Sequence, residues 1–114
     1  MRDSKLYLKD ILEAIEAIEE FVKDIDFETF KRDDMRSSAV IRKFEIIGEA
    51  TRNIPDNIKQ KYSSIPWKNI SGMRDRLIHF YFGIKYELVW DTIKIDIPVL
   101  KSQIKKILEN LQSE

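Results

Sequence analysis

The sequence predicts an all-α protein, an antiparallel up-and-down helical bundle. Three observations point there. Apolar residues recur at alternating spacings of 3 and 4 along most of the 114 residues, the signature of helices that bury one face. No stretch alternates apolar and polar residues as a half-buried strand would. Only 3 glycines and 3 prolines interrupt the chain, and long amphipathic helices with short connections pack most simply as a bundle.

The first helix carries Leu8, Ile11, Ile15, Ile18, Val22 and Ile25 on one seam, and Asp3 or Ser4 is placed to cap its start. The stretch Asp26–Phe30 breaks the pattern and reads as a short turn or helix that tucks Phe27 and Phe30 inward. A second long helix begins near Asp34, with Val40, Phe44, Ile47, Thr51 and Ile54 as its seam. Pro55 stops it. Residues 55–65 form a connector with one helical turn at Pro55–Ile58. The spacing of Ile70, Met73, Leu77 and Phe80 or Tyr81 predicts a third long helix from Pro66 to Phe82, with Gly83 ending it. The last segment keeps its register through Tyr86, Trp90, Ile93, Ile97, Leu100, Ile104, Ile107 and Leu111 despite Pro98. It predicts one kinked helix, or two that break near Asp96.

The chain holds 20 basic and 20 acidic side chains and no cysteine. A uniformly basic nucleic-acid coat is excluded, as are disulfides and thiolate metal sites. No apolar run reaches the ~20 residues of a membrane span, and the start of the chain leads into an amphipathic segment, unlike a signal peptide. A cytoplasmic protein without a membrane partner is expected. Locally the charge is uneven. Lys59, Lys61, Lys68, Arg74, Arg76 and Lys85 face Asp75 alone across residues 59–85, and the single histidine, His79, lies among them. Such a positive field suits a polyanion, and it equally suits solvated helix faces beside acidic helices.

Phosphate-binding glycine loops, dinucleotide fingerprints and zinc spacings are absent. Glu45 and Glu49 stand one helical turn apart, as a magnesium pair would. They also fit a solvated face neutralised by Arg42 or Arg52. The segment Gly72–Tyr81 is the informative one. On a continuous helix Asp75 and His79 are i,i+4, so the carboxylate can orient the imidazole, and the helix end favours its protonated form. Arg74 and His79 would then lie about 140° apart, and so would not point to one spot. A guanidinium that grips phosphate and an imidazole that moves a proton suffice for metal-free RNA cleavage, given a second acid for the leaving oxygen. A helix-end histidine bonded to its neighbours, with Arg74 in a salt bridge, is the other reading of the same residues.

The spacing Arg74-x4-His79-x-Tyr81 resembles the signature of the HepT family of HEPN-domain toxins. Three further stretches are similar to that family: Ile41–Ala50 with its Gly48-Glu49-Ala50, Ile65–Asp75 with its Pro66-Trp67, and Glu87–Thr92. The likeness spans essentially the whole chain and implies a single HEPN-like domain over residues 1–114. It also implies a homodimer in which two Arg-x4-His motifs face each other across a cleft. Arg74 and His79 would then be the catalytic residues of a metal-independent ribonuclease acting on RNA without a cofactor. Beside what the resemblance implies, Asp75 and Arg76 are the nearest further candidates, Asp75 to orient and Arg76 to bind phosphate. The partner implied is a nucleotidyltransferase antitoxin of the MNT type that can transfer AMP to Tyr81, where a bulky anion would repel substrate phosphate. A non-catalytic nucleotide-binding or partner subunit of such a nucleotidyltransferase is the alternative.

Overall fold

The computed structural model describes residues 3–79 and 83–112, with the side chain of His79 excepted. Within them the expected bundle is present. Helix α1 (Ser4–Phe21) starts where the Asp3 side chain accepts the Lys5 N–H, and it buries Leu8, Ile11, Ala14, Ile15 and Ile18. After a short turn, Asp26 caps α2 (Phe27–Arg32). This helix drives Phe30 fully inside, while Phe27 is half-buried. Helix α3 (Asp34–Arg52) follows at once, and its seam of Val40, Phe44, Ile47 and Thr51 is buried. The only buried polar side chains satisfy themselves locally among the described residues. Ser37 Oγ donates to the Asp33 carbonyl, Thr51 Oγ1 to Ile47 and Thr92 Oγ1 to Leu88, so none is orphaned.

One residue forms the corner between α2 and α3. Asp33 ends α2, and its carboxylate accepts the Arg36 N–H at 3.0 Å to start α3. Asp33→Ala is expected to lower stability by about 1 kcal/mol, the usual effect of removing a helix cap, read as a shift in the urea midpoint.

Connector helix α4 (Asp56–Lys61) is longer than the single turn expected from sequence. The last segment is one helical rod with a defect. Helix α7 (Tyr86–Asp91) runs through a π-helical turn (Thr92–Asp96) into α8 (Ile97–Gln112). The cause is Pro98, which lacks an N–H and would clash with the Lys94 carbonyl four residues back, so the turn before it widens. The seam stays in register across the defect, with Ile93, Ile97, Leu100, Ile104 and Ile107 buried. Trp90 packs against Phe30 with ring centroids 5.3 Å apart, which ties α7 to α2.

Helices α1, α3 and α8 form the main layers. The start of α1 and the end of α3 line one cleft through Tyr7 and Asn53, so the two run antiparallel. Near the end of α1, Glu19 accepts from Lys101 Nζ near the start of α8 at 2.7 Å, so α8 also runs against α1. That hydrogen bond raises the Lys101 pKa above the ordinary lysine range. A raised pKa stabilises the fold below the unfolded-state value, and the gain is lost as pH rises through the folded-state value. Lys101→Met should therefore cost about 0.5 kcal/mol at neutral pH. The difference in melting temperature from the unaltered chain should fade in strongly alkaline buffer. No helix among the described residues is long and apolar enough to cross a membrane.

The structure corrects the third helix. It is not continuous from Pro66 to Phe82. Helix α5 (Trp67–Ser71) stops at Gly72, α6 (Met73–Leu77) restarts, and the chain then extends. Strand β1 (Ile78–His79) pairs antiparallel with β2 (Gly83–Ile84), Ile78 opposite Ile84 and His79 opposite Gly83. The composition of this stretch explains the switch. Ile78 and Ile84 are β-branched and favour extended backbone. Gly83, with φ of 79°, takes the left-handed conformation open to glycine.

Candidate active site

The motif sits on a corner held by α3. At Gly48, in the last third of α3, a Cβ would lie 3.1 Å from the Ser71 carbonyl oxygen, so glycine is what lets α5 approach this closely. One turn further, Arg52 donates from Nη2 to that same carbonyl at 2.8 Å and from Nη1 to Glu49 Oε2 at 3.1 Å. Helix α5 is thus clamped at its last residue, and α6 leaves from the clamp. Sequence reasoning gave neither Gly48 nor Arg52 a positioning role. The available signal was a glycine inside a helix of good formers, where it costs about 1 kcal/mol relative to alanine unless something needs the space.

Arg74 stands on α6 with its side chain 47% exposed. Its Nε lies 3.7 Å from Glu45 Oε2 on α3, and its Nη1 lies 3.6 Å from Asp75 Oδ1. Both separations exceed hydrogen-bond length, so the guanidinium is attracted but not locked. It keeps donors for an incoming phosphate. Asp75 is exposed and faces Arg74. Asp75 and His79 do not share one helix at i,i+4 as the sequence suggests, because the helix ends at Leu77 and His79 lies in β1. Arg76, two residues after Arg74, turns the other way and donates from Nη2 to the Asn69 carbonyl at 3.1 Å. The structure therefore brings Arg74 and Asp75 together and sets Arg76 apart. The His79 side chain and Tyr81 lie outside the described residues.

Glu45 and Glu49 each face an arginine, Arg74 and Arg52 respectively. Among the described residues no group of three or more His, Cys, Asp or Glu side chains converges. Two hollows lie near these residues, and the larger borders α6. A small cleft of about 170 Å³ between α1 and α3 is lined by Glu45, Arg42 and Tyr7. A groove of about 380 Å³ runs from Ile70, Met73 and Arg76 to Ile95 and Val99 beside the π-helical turn.

A half-exposed arginine ahead of a histidine-bearing ribbon can hold a phosphodiester and move a proton, the equipment of an RNA-cleaving domain. The comparisons agree with that class. The family model "Ribonuclease HepT-like" matches residues 11–107. The chain is 51% identical over 106 residues to a probable ribonuclease HepT of Thermococcus cleftensis, covering 93% of this chain and 96% of that protein. It is 47% identical over 109 residues to a candidate RNase of Caldanaerobacter subterraneus subsp. tengcongensis, covering 96% and 97%. It is 46% identical over 113 residues to a candidate RNase of Methanocaldococcus jannaschii, covering 99% and 97%. No solved structure matches the chain. The chain belongs to the HepT-like ribonuclease family.

Proposed function

We propose that the chain is a metal-independent endoribonuclease toxin whose cleft forms between two copies. The observation that carries this reading is the loosely paired, half-exposed Arg74, placed five residues before His79 on a chain of this family. His79 takes the proton of a ribose 2′-hydroxyl. The freed oxygen attacks the adjacent phosphorus, and the bond to the 5′ oxygen breaks. His79 of the second copy protonates that leaving oxygen, so the products are a 2′,3′-cyclic phosphate and a 5′-hydroxyl. Arg74 spreads the charge that builds on the phosphoryl oxygens. Asp75, beside Arg74, positions the guanidinium.

A nucleotidyltransferase antitoxin of the MNT type neutralises the toxin by transferring AMP to Tyr81, two residues from His79. The added phosphate then competes for Arg74 and repels RNA.

Expression of the chain alone tests this reading. Growth arrest is expected, relieved by His79→Ala and by co-expression of the nucleotidyltransferase. Arrest that persists unchanged in His79→Ala would sink the toxin mechanism. A chain that binds the nucleotidyltransferase tightly yet never arrests growth would be a non-catalytic partner subunit.

A further inference from the structure

A second cationic feature precedes the motif. Lys59 on α4 and Lys68 on α5 line one open cleft of about 390 Å³ together with Gln60, Asn69 and the largely buried Trp67. Four cations of the described residues sit in ion pairs: Arg36 with Asp33, Arg52 with Glu49, Arg74 with Glu45, and Lys101 with Glu19. Lys59 and Lys68 have no ion-pair partner among the described residues. Asp56 is the only carboxylate on the cleft lining, and no ion pair joins it to either lysine. The indole N–H of Trp67 is already donated to the Tyr62 carbonyl at 3.1 Å, so Trp67 offers the cleft no donor from its ring nitrogen.

The cleft is tied to the motif helix by one hydrogen bond. Asn69, which lines it, accepts through its carbonyl from Arg76, and Arg76 stands two residues after Arg74. Two ammonium groups and two side-chain amides, with no carboxylate engaged, suit phosphodiester oxygens. They give no set of convergent groups that would read a base edge. We infer that this cleft is a phosphate subsite that holds the backbone of single-stranded RNA beyond the scissile bond. The inference rests on the ribonuclease reading above and adds to it a second contact for the substrate strand. It gives affinity that depends on RNA length and salt, and little sequence preference.

The test is binding of 2′-O-methyl single-stranded RNA, which the proposed chemistry does not cleave, measured by fluorescence anisotropy. Lys59→Gln/Lys68→Gln should weaken a strand of about twenty nucleotides roughly tenfold. The dependence of log affinity on log salt should flatten by about 1.4, two phosphate contacts' worth for a single strand. Lys68→Gln alone should flatten it by about 0.7. The advantage of the long strand over a trinucleotide should shrink. A control, Lys105→Gln/Lys106→Gln, removes the same charge from exposed positions on α8 and should weaken binding less than the first pair. Equal weakening by both pairs, an unaltered salt slope, or no RNA binding by the unaltered chain would each overturn the subsite. So would loss of nucleotidyltransferase binding in Lys59→Gln/Lys68→Gln with RNA affinity intact, which would make the surface a protein interface. Cleavage of unmodified RNA by the unaltered chain is scored separately, so failure of the ribonuclease reading is told apart from failure of the subsite.

Discussion

Replacing His79 with alanine is expected to lower the rate of RNA cleavage at least about 100-fold while the bundle stays folded. Positioned proton transfer contributes on the order of 10²–10⁴ to such a step, and no other histidine of the chain can substitute. The fold should survive because the β1–β2 ribbon is joined through its main chain, with Lys85 N–H donating to the Leu77 carbonyl at 2.8 Å beside it. Arg74→Ala should lose a similar factor, roughly 10²–10³, since it removes the charge that faces the reacting phosphate. Its effect on stability should be under about 1 kcal/mol, because its two ion contacts are long and half-exposed. Arg74→Lys should recover only part of the rate, because an ammonium keeps the charge and loses the two-pronged grip. Single-turnover cleavage beside thermal melts separates these outcomes. A folded Arg74→Ala that cleaves at the unaltered rate would remove Arg74 from the reaction.

Gly48→Leu is expected to damage both the fold and the activity. The added Cβ would meet the Ser71 carbonyl at 3.1 Å, and the partner there is backbone, which has little room to yield. The larger side chain has to push α5 off α3, and overpacking of this kind costs about 1–3 kcal/mol. Separation also strips the Arg52 hydrogen bond from Ser71. Against a total stability of about 5–15 kcal/mol that loss is readable in a urea melt. Because α6 leaves from Ser71 through Gly72, Arg74 shifts with it, so cleavage should fall more than stability alone explains. Gly48→Ala is the informative intermediate. It gains about 1 kcal/mol of helix propensity and meets the same carbonyl. A Gly48→Leu chain as stable and active as the parent would contradict the clamp.

The long helices were legible because each carries a seam with a boundary signal, a cap before the first and Pro55 after the second. Leu8 through Ile18 and Val40 through Thr51 are buried as their spacing implied, and Asp3 caps the first helix. The last helix was legible to within its defect. Pro98 signalled a disturbance near Asp96, and the chain resolved it with a wide turn over Thr92–Asp96. The motif region was misread because its residues satisfy two patterns at once. Met73, Leu77 and Phe80 keep helical spacing, while Ile78 and the following aromatics favour extended chain. Tertiary context decided between them, and a strand of two residues is too short to leave a period.

The surroundings of the candidate residues were hardly legible. The resemblance pointed to Arg74 and His79, but the partner of Arg74 is Glu45, 29 positions earlier on another helix. Local spacing carries no trace of that contact. Glu45 had drawn attention as half of a carboxylate pair, and its neighbour turned out to be the motif's own arginine. Arg76 was grouped with Arg74 by sequence proximity, yet two residues along a helix is about 200°, so it faces Asn69.

The most direct test of the whole account is RNA cleavage by the purified chain in excess EDTA, with the ends of the products identified by mass spectrometry. The account predicts cleavage at the same rate as without chelator, with 2′,3′-cyclic phosphate and 5′-hydroxyl ends. Loss of cleavage in EDTA, or ends carrying a 5′-phosphate, would contradict it.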